Sequence, residues 1–256
     1  HRVTVLERDA AAGGQLRLVA ALPLQAPFAE LVRWRLAELG RLGVEVRYGV
    51  GASAEAVLAL RPDAVVVATG SRPGPVDGCE PAAHVVRSLV DRRGTAAVVR
   101  AAGDAPPGAA GGGPGTVVLV DTEGHRKGVG TAELLAAAGW RVTLVAVGGP
   151  AAGLLENSKS GPLALRRLRD LGVRLVEGHR VVGLSAGVVR LARRYDDEPL
   201  DLVADRVVLA VPHEPVDGLV APLRRAGVDV RAVGDARAPR LVEDAVHDGY
   251  RVGAQL

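Results

Sequence analysis

Two acidic residues stand where a largely apolar run of the sequence ends. Glu7 directly follows residues 3–6, and a pair of glycines comes a few residues later. Asp235 follows Gly234 after a second such run, residues 228–233. At the carboxyl end of a parallel strand, a carboxylate accepts hydrogen bonds from ribose hydroxyls, and glycine lets the backbone approach the ligand. Glu7 is therefore a candidate for binding the ribose of a nucleotide, and Asp235 stands at a similar position, between a strand and a helix.

A third candidate position follows the continuous apolar run of residues 64–68, where Thr69 and Gly70 come next. An uninterrupted run of this kind is typical of a strand covered on both faces. Gly70 would let the backbone cross close to a ligand at the carboxyl edge of the sheet. Simpler alternatives stay open at all three positions: a strand-to-linker turn here, an ordinary strand-ending charge at Glu7, and a turn or capping residue at Asp235.

The elements that must position these residues alternate between strand and helix. Apolar residues at helical spacing predict a helix over residues 27–42, and Ser53 is a good N-cap for a helix that ends at Leu60. A glycine-rich loop is predicted after Glu7. Strands are predicted at residues 2–7, 44–48, 64–68, 117–120, 142–147, 207–211 and 228–233, with short β segments over 173–191 and further helices at 129–138, 161–171 and 239–256. Such alternation predicts an α/β fold with parallel sheets between helices.

The sequence also contains an internal repeat. Residues 1–7 (HRVTVLE) match residues 140–146 (WRVTLVA), and each is interpreted as the second strand of a β–α–β dinucleotide-binding unit. We therefore predict two Rossmann-like domains of three layers each, the second inserted into the first. The predicted boundaries are 1–100 for the first domain, 101–115 for a Gly/Pro-rich linker, 116–198 for the second domain, and 199–256 for a return segment that completes the first.

Composition argues against several other classes of protein. The net charge of +3 is dispersed and only 2% of residues are aromatic, so no clustered basic face for nucleic acid is expected. No apolar run approaches the roughly 20 residues that span a bilayer, and no signal peptide is recognised. Cys79 is the single cysteine, which excludes a CxxC pair and fits a cytoplasmic protein. The histidines share no metal-ligand spacing, so no metal site and no catalytic residue are predicted.

Four motifs, taken in order, carry a resemblance to a known family. Together they resemble the C-terminal region of the old-yellow-enzyme-like NADH:flavin oxidoreductases, the group of 2,4-dienoyl-CoA reductase and trimethylamine dehydrogenase. The form of the last motif, with the DGYR of residues 248–251, is closer to the amine dehydrogenases. The motifs are Glu7, residues 13–16 (GGQL), residues 68–73 (ATGSRP) and residues 233–240 (VGDARAPR).

This resemblance implies a flavin oxidoreductase module that binds FAD or, as in some amine dehydrogenases, ADP. An FMN and a 4Fe-4S cluster would belong to an N-terminal barrel of the same polypeptide, which would also bind the small-molecule substrate. The residues expected to bind the dinucleotide are Glu7, Arg8, Gly14, Gln15, Leu16, Val50, Ala68, Thr69, Gly70, Gly234 and Asp235.

The second domain departs from a working NAD(P) site. A G-x-G-x-x-G loop aligned through the following helix places Glu123, His125 and Gly128 at the three glycine positions, so only the third is kept. Ala146 stands where the first domain has Glu7. We therefore predict that this domain does not bind NAD(P)H in the ordinary way. The alternative is that Gly124, Gly128 and Gly130 form a different phosphate turn.

Two functions follow from these observations. The module could carry electrons through FAD, or it could be a non-catalytic structural part of the same parent. A free-standing disulfide reductase is disfavoured because there is no CxxC. By the resemblance, the first strand and the glycine loop of the first domain are expected to precede His1. The chain alone is therefore expected to bind FAD poorly, and its substrate and oligomeric state stay open.

Overall fold

The computed structural model describes residues 1–74, 76, 78–93, 115–155 and 159–256. The predicted linker, apart from Gly115, lies outside these residues. The chain divides into two compact units, one of residues 1–12, 35–74 and 212–256, the other of residues 13–34 and 75–211. Within the described ranges, no helix has the length and apolar character needed to cross a membrane.

The first unit is built on three pairs of short strands. Strands β1 (Thr4–Leu6) and β2 (Glu45–Arg47) are parallel, as are β3 (Ala64–Val67) and β13 (Asp229–Ala232), whereas β4 (Ser71–Pro73) and β12 (His213–Pro215) are antiparallel. The helices are α2 (Pro27–Arg41), which begins in the other unit, α3 (Ala54–Ala59), α7 (Val220–Arg225) and α8 (Val242–Gly253).

Local signals and burial explain these elements. The predicted cap of α3 is confirmed, since the backbone N–H of Ala56 donates to Ser53 Oγ at 3.1 Å. Apolar side chains of β3, β13, α3 and α7 form one buried cluster, against which Leu6 of β1 packs. The prediction that β3 is covered on both faces is wrong for Val66, which is 41% exposed. Its neighbours Val65 and Val67 face the cluster, and strand alternation turns Val66 to the other side.

The second unit is built on one larger sheet. Its strands β5, β11, β6, β7 and β8 are parallel, while β9 and β10 extend it as antiparallel hairpins. In the described residues the sheet has the order β10-β9-β8-β7-β6-β11-β5. These strands are β5 (Glu80–Pro81), β6 (Thr116–Asp121), β7 (Arg141–Val147), β8 (Arg174–Ser185), β9 (Val188–Arg193), β10 (Pro199–Val203) and β11 (Arg206–Ala210); the helices are α1 (Gly14–Ala20), α4 (Ala82–Arg93), α5 (Arg126–Ala137) and α6 (Gly161–Asp170).

The predicted α/β class with parallel sheets is confirmed most clearly at β6, α5 and β7. Strand β6 is buried on both faces, because Leu119 belongs to one core cluster and Val118 to the other. Helix α5 packs against α4 and α6, and its residues from Gly128 to Ala136 are buried. This β–α–β unit is the one whose second strand, β7, the internal repeat predicts.

Two elements differ from the sequence prediction. The segment after Glu7 was expected to be a loop, but it contains α1, because Leu18 and Leu22 pack against buried residues of α4 and α5. The boundary predicted at residue 199 precedes β10 and β11, and both strands pair within the sheet of the second unit. The chain therefore enters the first unit again at Pro212.

Candidate functional site

Glu7 lies at the carboxyl end of β1 and is held by the backbone around it. Its N–H donates to the carbonyl of Arg47, and its carbonyl accepts from Val50 N, both at 2.9 Å. Its carboxylate oxygen Oε1 accepts from the backbone N–H of Asp9 at 2.8 Å. Arg8 extends outward with 80% of its side chain exposed, 3.6 Å from Asp9. The structure thus brings Glu7, Arg8 and Val50 together, with a carboxylate of restricted orientation.

The Ala68–Gly70 segment joins β3 to the antiparallel pair of β4 and β12. Thr69 Oγ1 donates to the carbonyl of Val216, and Val216 N donates to the carbonyl of Gly70 at 2.9 Å. Gly70 has a φ of +75°, a conformation that glycine adopts at little cost. The Thr69 hydroxyl is therefore used in a hydrogen bond that stabilises the turn. A ligand would contact the backbone of this segment instead.

Asp235, at the end of β13, has both carboxylate oxygens held by hydrogen bonds. Its Oδ2 accepts from Ser71 Oγ at 2.7 Å, and its Oδ1 accepts from the backbone N–H of Arg240 at 3.2 Å. Ser71 Oγ is also 3.2 Å from His213 Nδ1. Asp235 was predicted from the sequence, but its neighbours Ser71 and His213 were not. Only the pairing of β4 with β12 brings these two residues together.

Gly234 places Asp235 at the end of β13. The φ of Gly234 is +55°, and a Cβ at this position would lie 3.0 Å from the Cβ of Ala245 in α8. Any larger residue would combine backbone strain with a contact that is too close. Val233 N donates to the carbonyl of Val67 at 3.0 Å, so the turn is tied directly to the end of β3. The glycine predicted here is therefore required by conformation and by packing.

Asp248 supports this turn from α8 and was missed as a structural residue. Its side chain is 4% exposed, and its Oδ2 accepts from Gly234 N at 3.3 Å and from Arg240 at 2.5 Å. Arg237 and Arg251 lie beside its Oδ1 at 3.3 and 3.5 Å. Burial acts to raise the pKa of Asp248, but the hydrogen bonds and charge of Arg240, the Gly234 amide and Arg237 together lower it.

We expect Asp248→Asn to lower the urea midpoint of the first unit at pH 7, because three guanidinium groups would lose their anionic partner. The pKa of Asp248 is lowered from 3.8, so its ionised form contributes stability above that value. The contribution disappears as the pH falls through the lower folded-state pKa. Urea unfolding of both proteins at pH 7 and pH 2.5 tests this, and an equal loss at both values would contradict it.

Residues 13–16 belong to the second unit, where they begin α1. Gly13 has a φ of +116°, and a Cβ there would lie 3.1 Å from Val32 Cγ1, whereas a Cβ at Gly14 would meet nothing within 4 Å. Packing in this loop therefore requires glycine at position 13, and not at the predicted position 14. Leu16 N donates to the carbonyl of Gly13 at 2.8 Å, which closes the first turn of the helix that also carries Gln15.

The strand-to-helix loop of the second unit lies between β6 and α5. Asp121 ends β6 with 1% exposure, and its Oδ1 accepts from the backbone N–H groups of Glu123 and Gly124 at 2.9 and 3.0 Å. The glycine kept at the third position of the degenerate loop, Gly128, lies directly against the Asp121 carboxylate. Asp121 follows the apolar run of residues 117–120 much as Glu7 follows residues 3–6, but no role was predicted for it.

Other reactive groups offer no additional centre in the part of the chain that the structure describes. No group of three or more His, Cys, Asp or Glu residues there could hold a metal ion. Burial raises the pKa of the Cys79 thiol, which disfavours the reactive thiolate. The predicted nucleotide-binding residues therefore remain the principal candidates for function.

Comparison with known proteins gives relatives for the whole chain, although no protein-family model matches it. The NADH oxidase of Thermoanaerobacter brockii is 34% identical over 260 residues, which cover 100% of this chain and 37% of that protein. The bilirubin reductase of Mediterraneibacter gnavus is 30% identical over 255 residues, covering 98% of this chain and 36% of that protein. The histamine dehydrogenase structure from Rhizobium sp. 4-9 superimposes with a TM-score of 0.85 at 23% identity, covering 100% of this chain and 40% of that one.

The two Rossmann-like units and these relatives define the chain as part of a flavin-dependent oxidoreductase with nucleotide-binding folds. The chain spans less than half the length of the relatives that match it over its whole extent. It belongs to the old-yellow-enzyme-like NADH:flavin oxidoreductases, as the order of its motifs indicates.

Proposed function

We propose that the first unit binds FAD through its sugar groups. Glu7 accepts a hydrogen bond from an adenosine ribose hydroxyl, and Asp235 accepts one from the ribityl chain. The observation that carries this proposal is the environment of Asp235. Ser71 and the backbone N–H of Arg240 hold its two carboxylate oxygens, so that it presents a fixed acceptor at the carboxyl end of a parallel strand. Ligands of open α/β sheets bind at this edge.

The chemistry of the described residues fits a ligand rich in hydroxyl groups. The carboxylates of Glu7 and Asp235 are hydrogen-bond acceptors. Among the described residues, neither belongs to a group of side chains that could hold a metal ion. Gly70 has no side chain, so the backbone there allows close approach of a ligand, whereas Gly234 is buried against Ala245 and serves the turn that holds Asp235. When bound, FAD supplies two-electron and one-electron chemistry. The residues of the first unit would bind and orient it, with Arg8 and Val50 beside the adenosine and Ala68 and Thr69 beside the backbone crossing. The predicted residues Gly14, Gln15 and Leu16 belong to the second unit and are not part of this site.

ADP is the alternative ligand, as the resemblance to amine dehydrogenases implies. It shares the adenosine ribose with FAD but lacks the ribityl chain. The two acids therefore separate the alternatives, because loss of Glu7 weakens both ligands whereas loss of Asp235 weakens only FAD. In the parent enzyme, FAD would exchange electrons with an FMN and a 4Fe-4S cluster on a barrel, which would also bind the substrate.

We expect Asp235→Ala in the full-length parent to weaken FAD binding by about 10- to 100-fold, the value of one or two hydrogen bonds to a charged acceptor. Glu7→Ala should have a similar effect. Nucleotides released on denaturation would be separated by HPLC, and the visible spectrum recorded before and after dialysis. Asp229→Ala is the matched control: Asp229 lies at the amino end of the same strand, β13, and should leave FAD content unchanged.

The outcomes discriminate between the possible ligands. Release of ADP alone, weakened by Glu7→Ala and unaffected by Asp235→Ala, would replace FAD by ADP in the proposal. Unchanged FAD content in both variants would show that neither acid binds it. A second candidate, a structural module without bound nucleotide, is favoured by the altered loop of the second unit, and it would be supported by a parent that releases no adenine nucleotide.

A further inference from the structure

The loop between β6 and α5 holds a carboxylate at the place where Rossmann-like units bind phosphate. Asp121 Oδ1 accepts from two consecutive backbone N–H groups, those of Glu123 and Gly124, at 2.9 and 3.0 Å. Backbone N–H groups that converge in this way form a binding site for an anionic oxygen. In a dinucleotide-binding loop, N–H groups of the same segment face the pyrophosphate.

The second oxygen of this carboxylate is enclosed by the following helix. Asp121 Oδ2 is buried and has no hydrogen-bond partner within the described structure. A Cβ at Gly128 would lie 2.2 Å from it, so only glycine at this position leaves room for the carboxylate. Burial raises the pKa of Asp121 to about 6, against the lowering effect of the two amide hydrogen bonds. The third glycine of the loop therefore accommodates an internal anion.

No neighbouring charged side chain replaces Asp121 as the acceptor for these two amides in the described structure. Glu123 is the other acid of the loop, and its carboxylate lies 2.7 Å from Lys127 Nζ, with about a quarter of each side chain exposed. Lys127 also donates to the carbonyl of Val211 at 2.6 Å. The charge of Glu123 is thus compensated at the rim of the loop, whereas Asp121 lies beneath it and occupies the amides directly.

We propose that Asp121 is the residue that closes the second unit to dinucleotides, because its carboxylate occupies the loop amides that a pyrophosphate would need. This inference extends the proposed function, from which it takes only the assignment of FAD to the first unit. Any NAD(P)H that the parent oxidises must then bind outside this loop. The Asp121 carboxylate thus takes the place of the phosphate inside the protein, and its negative charge also repels a dinucleotide.

Amide NMR of the chain tests the proposal, with inorganic pyrophosphate and, separately, NADH as the added probes. In the unchanged protein, the resonances of Glu123 and Gly124 should not shift. In Asp121→Ala, the freed amides should shift with pyrophosphate, with binding stronger by about tenfold or more because one buried negative charge is gone. Glu123→Gln is the matched control, which removes the rim charge but keeps Asp121, and it should remain unresponsive.

A shift of these amides by either probe in the unchanged protein would overturn the proposal, as would a folded Asp121→Ala that stays unresponsive. If that variant does not fold, the unchanged protein still decides the matter. The Glu123 and Gly124 amide protons should move together as Asp121 titrates near pH 6. Independence of pH at both amides would show that the carboxylate does not hold them. Neither measurement depends on whether the first unit binds FAD.

Discussion

Arg167→Ala is expected to lower the free energy of unfolding of the second unit by about 3–5 kcal/mol, the typical cost of removing one partner from a buried ion pair. Glu133 of α5 has a side chain only 3% exposed, and Arg167 of α6 donates to its Oε1 through Nε at 2.6 Å. Burial raises the pKa of Glu133, and the hydrogen bond and charge of Arg167 act in the opposite direction. Without the guanidinium group, a buried carboxylate would remain uncompensated.

Urea unfolding followed by the fluorescence of Trp140, which packs against the same core, measures this loss. Arg166→Ala is the matched control, since the side chain of Arg166 is 72% exposed and forms an ion pair at 3.8 Å with Asp170 on the surface. The Arg166→Ala substitution should change the free energy of unfolding by no more than about 0.5 kcal/mol. Replacing Glu133 and Arg167 together by leucine should restore most of the stability, because an apolar pair leaves no buried charge.

The pH dependence of the Arg167→Ala variant follows from the raised pKa of Glu133. A group whose folded-state pKa lies above its unfolded-state value of 4.5 is destabilising when ionised, so the cost is present above the folded-state pKa. Below the unfolded-state value the carboxyl is neutral in both states and the cost disappears. The loss should therefore be larger at pH 8 than at pH 4, and the reverse order would contradict a buried unpaired carboxylate as its cause.

Gly128→Ala is expected to destabilise the second unit by about 1–3 kcal/mol or more, as overpacking of a filled core does. The added Cβ would lie 2.2 Å from Asp121 Oδ2 and 2.3 Å from its Cγ. Alanine is the better helix former by about 1 kcal/mol, so a net loss requires the clash to outweigh that gain. Gly40→Ala is the matched control, because Gly40 also lies inside a helix and its Cβ would meet nothing within 4 Å.

The control should be neutral or more stable by up to about 1 kcal/mol. The double variant Asp121→Ala/Gly128→Ala removes Asp121 Oδ2 and Cγ, the two atoms that the added Cβ would meet most closely, so its cost should be less than the sum of the two single changes. Additive costs in urea unfolding would show that Gly128 and Asp121 do not act on each other. Because the same contact supports the closed loop, this cycle also tests the packing on which the role of Asp121 depends.

Much of the architecture could be predicted because its causes are local. The apolar run of residues 117–120 became part of buried strand β6, and Ser53 caps a helix as its hydroxyl predicts. The repeat at residues 140–146 marked β7, the second strand of a β–α–β unit. The helix α1 was missed, since the glycines at its start suggest a loop and only packing against α4 and α5 stabilises it.

The candidate site was predictable only in part. Glu7 and Asp235 were recognised as acids at strand ends, but the residues that orient Asp235 were not. Ser71 and His213 are 142 positions apart, and Ser71 lies 164 positions from Asp235. No local pattern relates side chains at such separations, because their contact depends on which strands pair. Whether either acid binds FAD stays a prediction.

The sequence by itself determined the class of this protein, since strand and helix periodicities, glycine at strand ends and the order of its motifs are properties of neighbouring residues. Tertiary structure alone decided that Asp121 occupies its own loop and that Asp248 supports the turn before Asp235. Buried carboxylates are costly unless hydrogen bonds compensate them. Their partners are backbone N–H groups of a turn and, for Asp248, three arginines within 11 positions of it, and these groups converge on the carboxylates only in the folded chain.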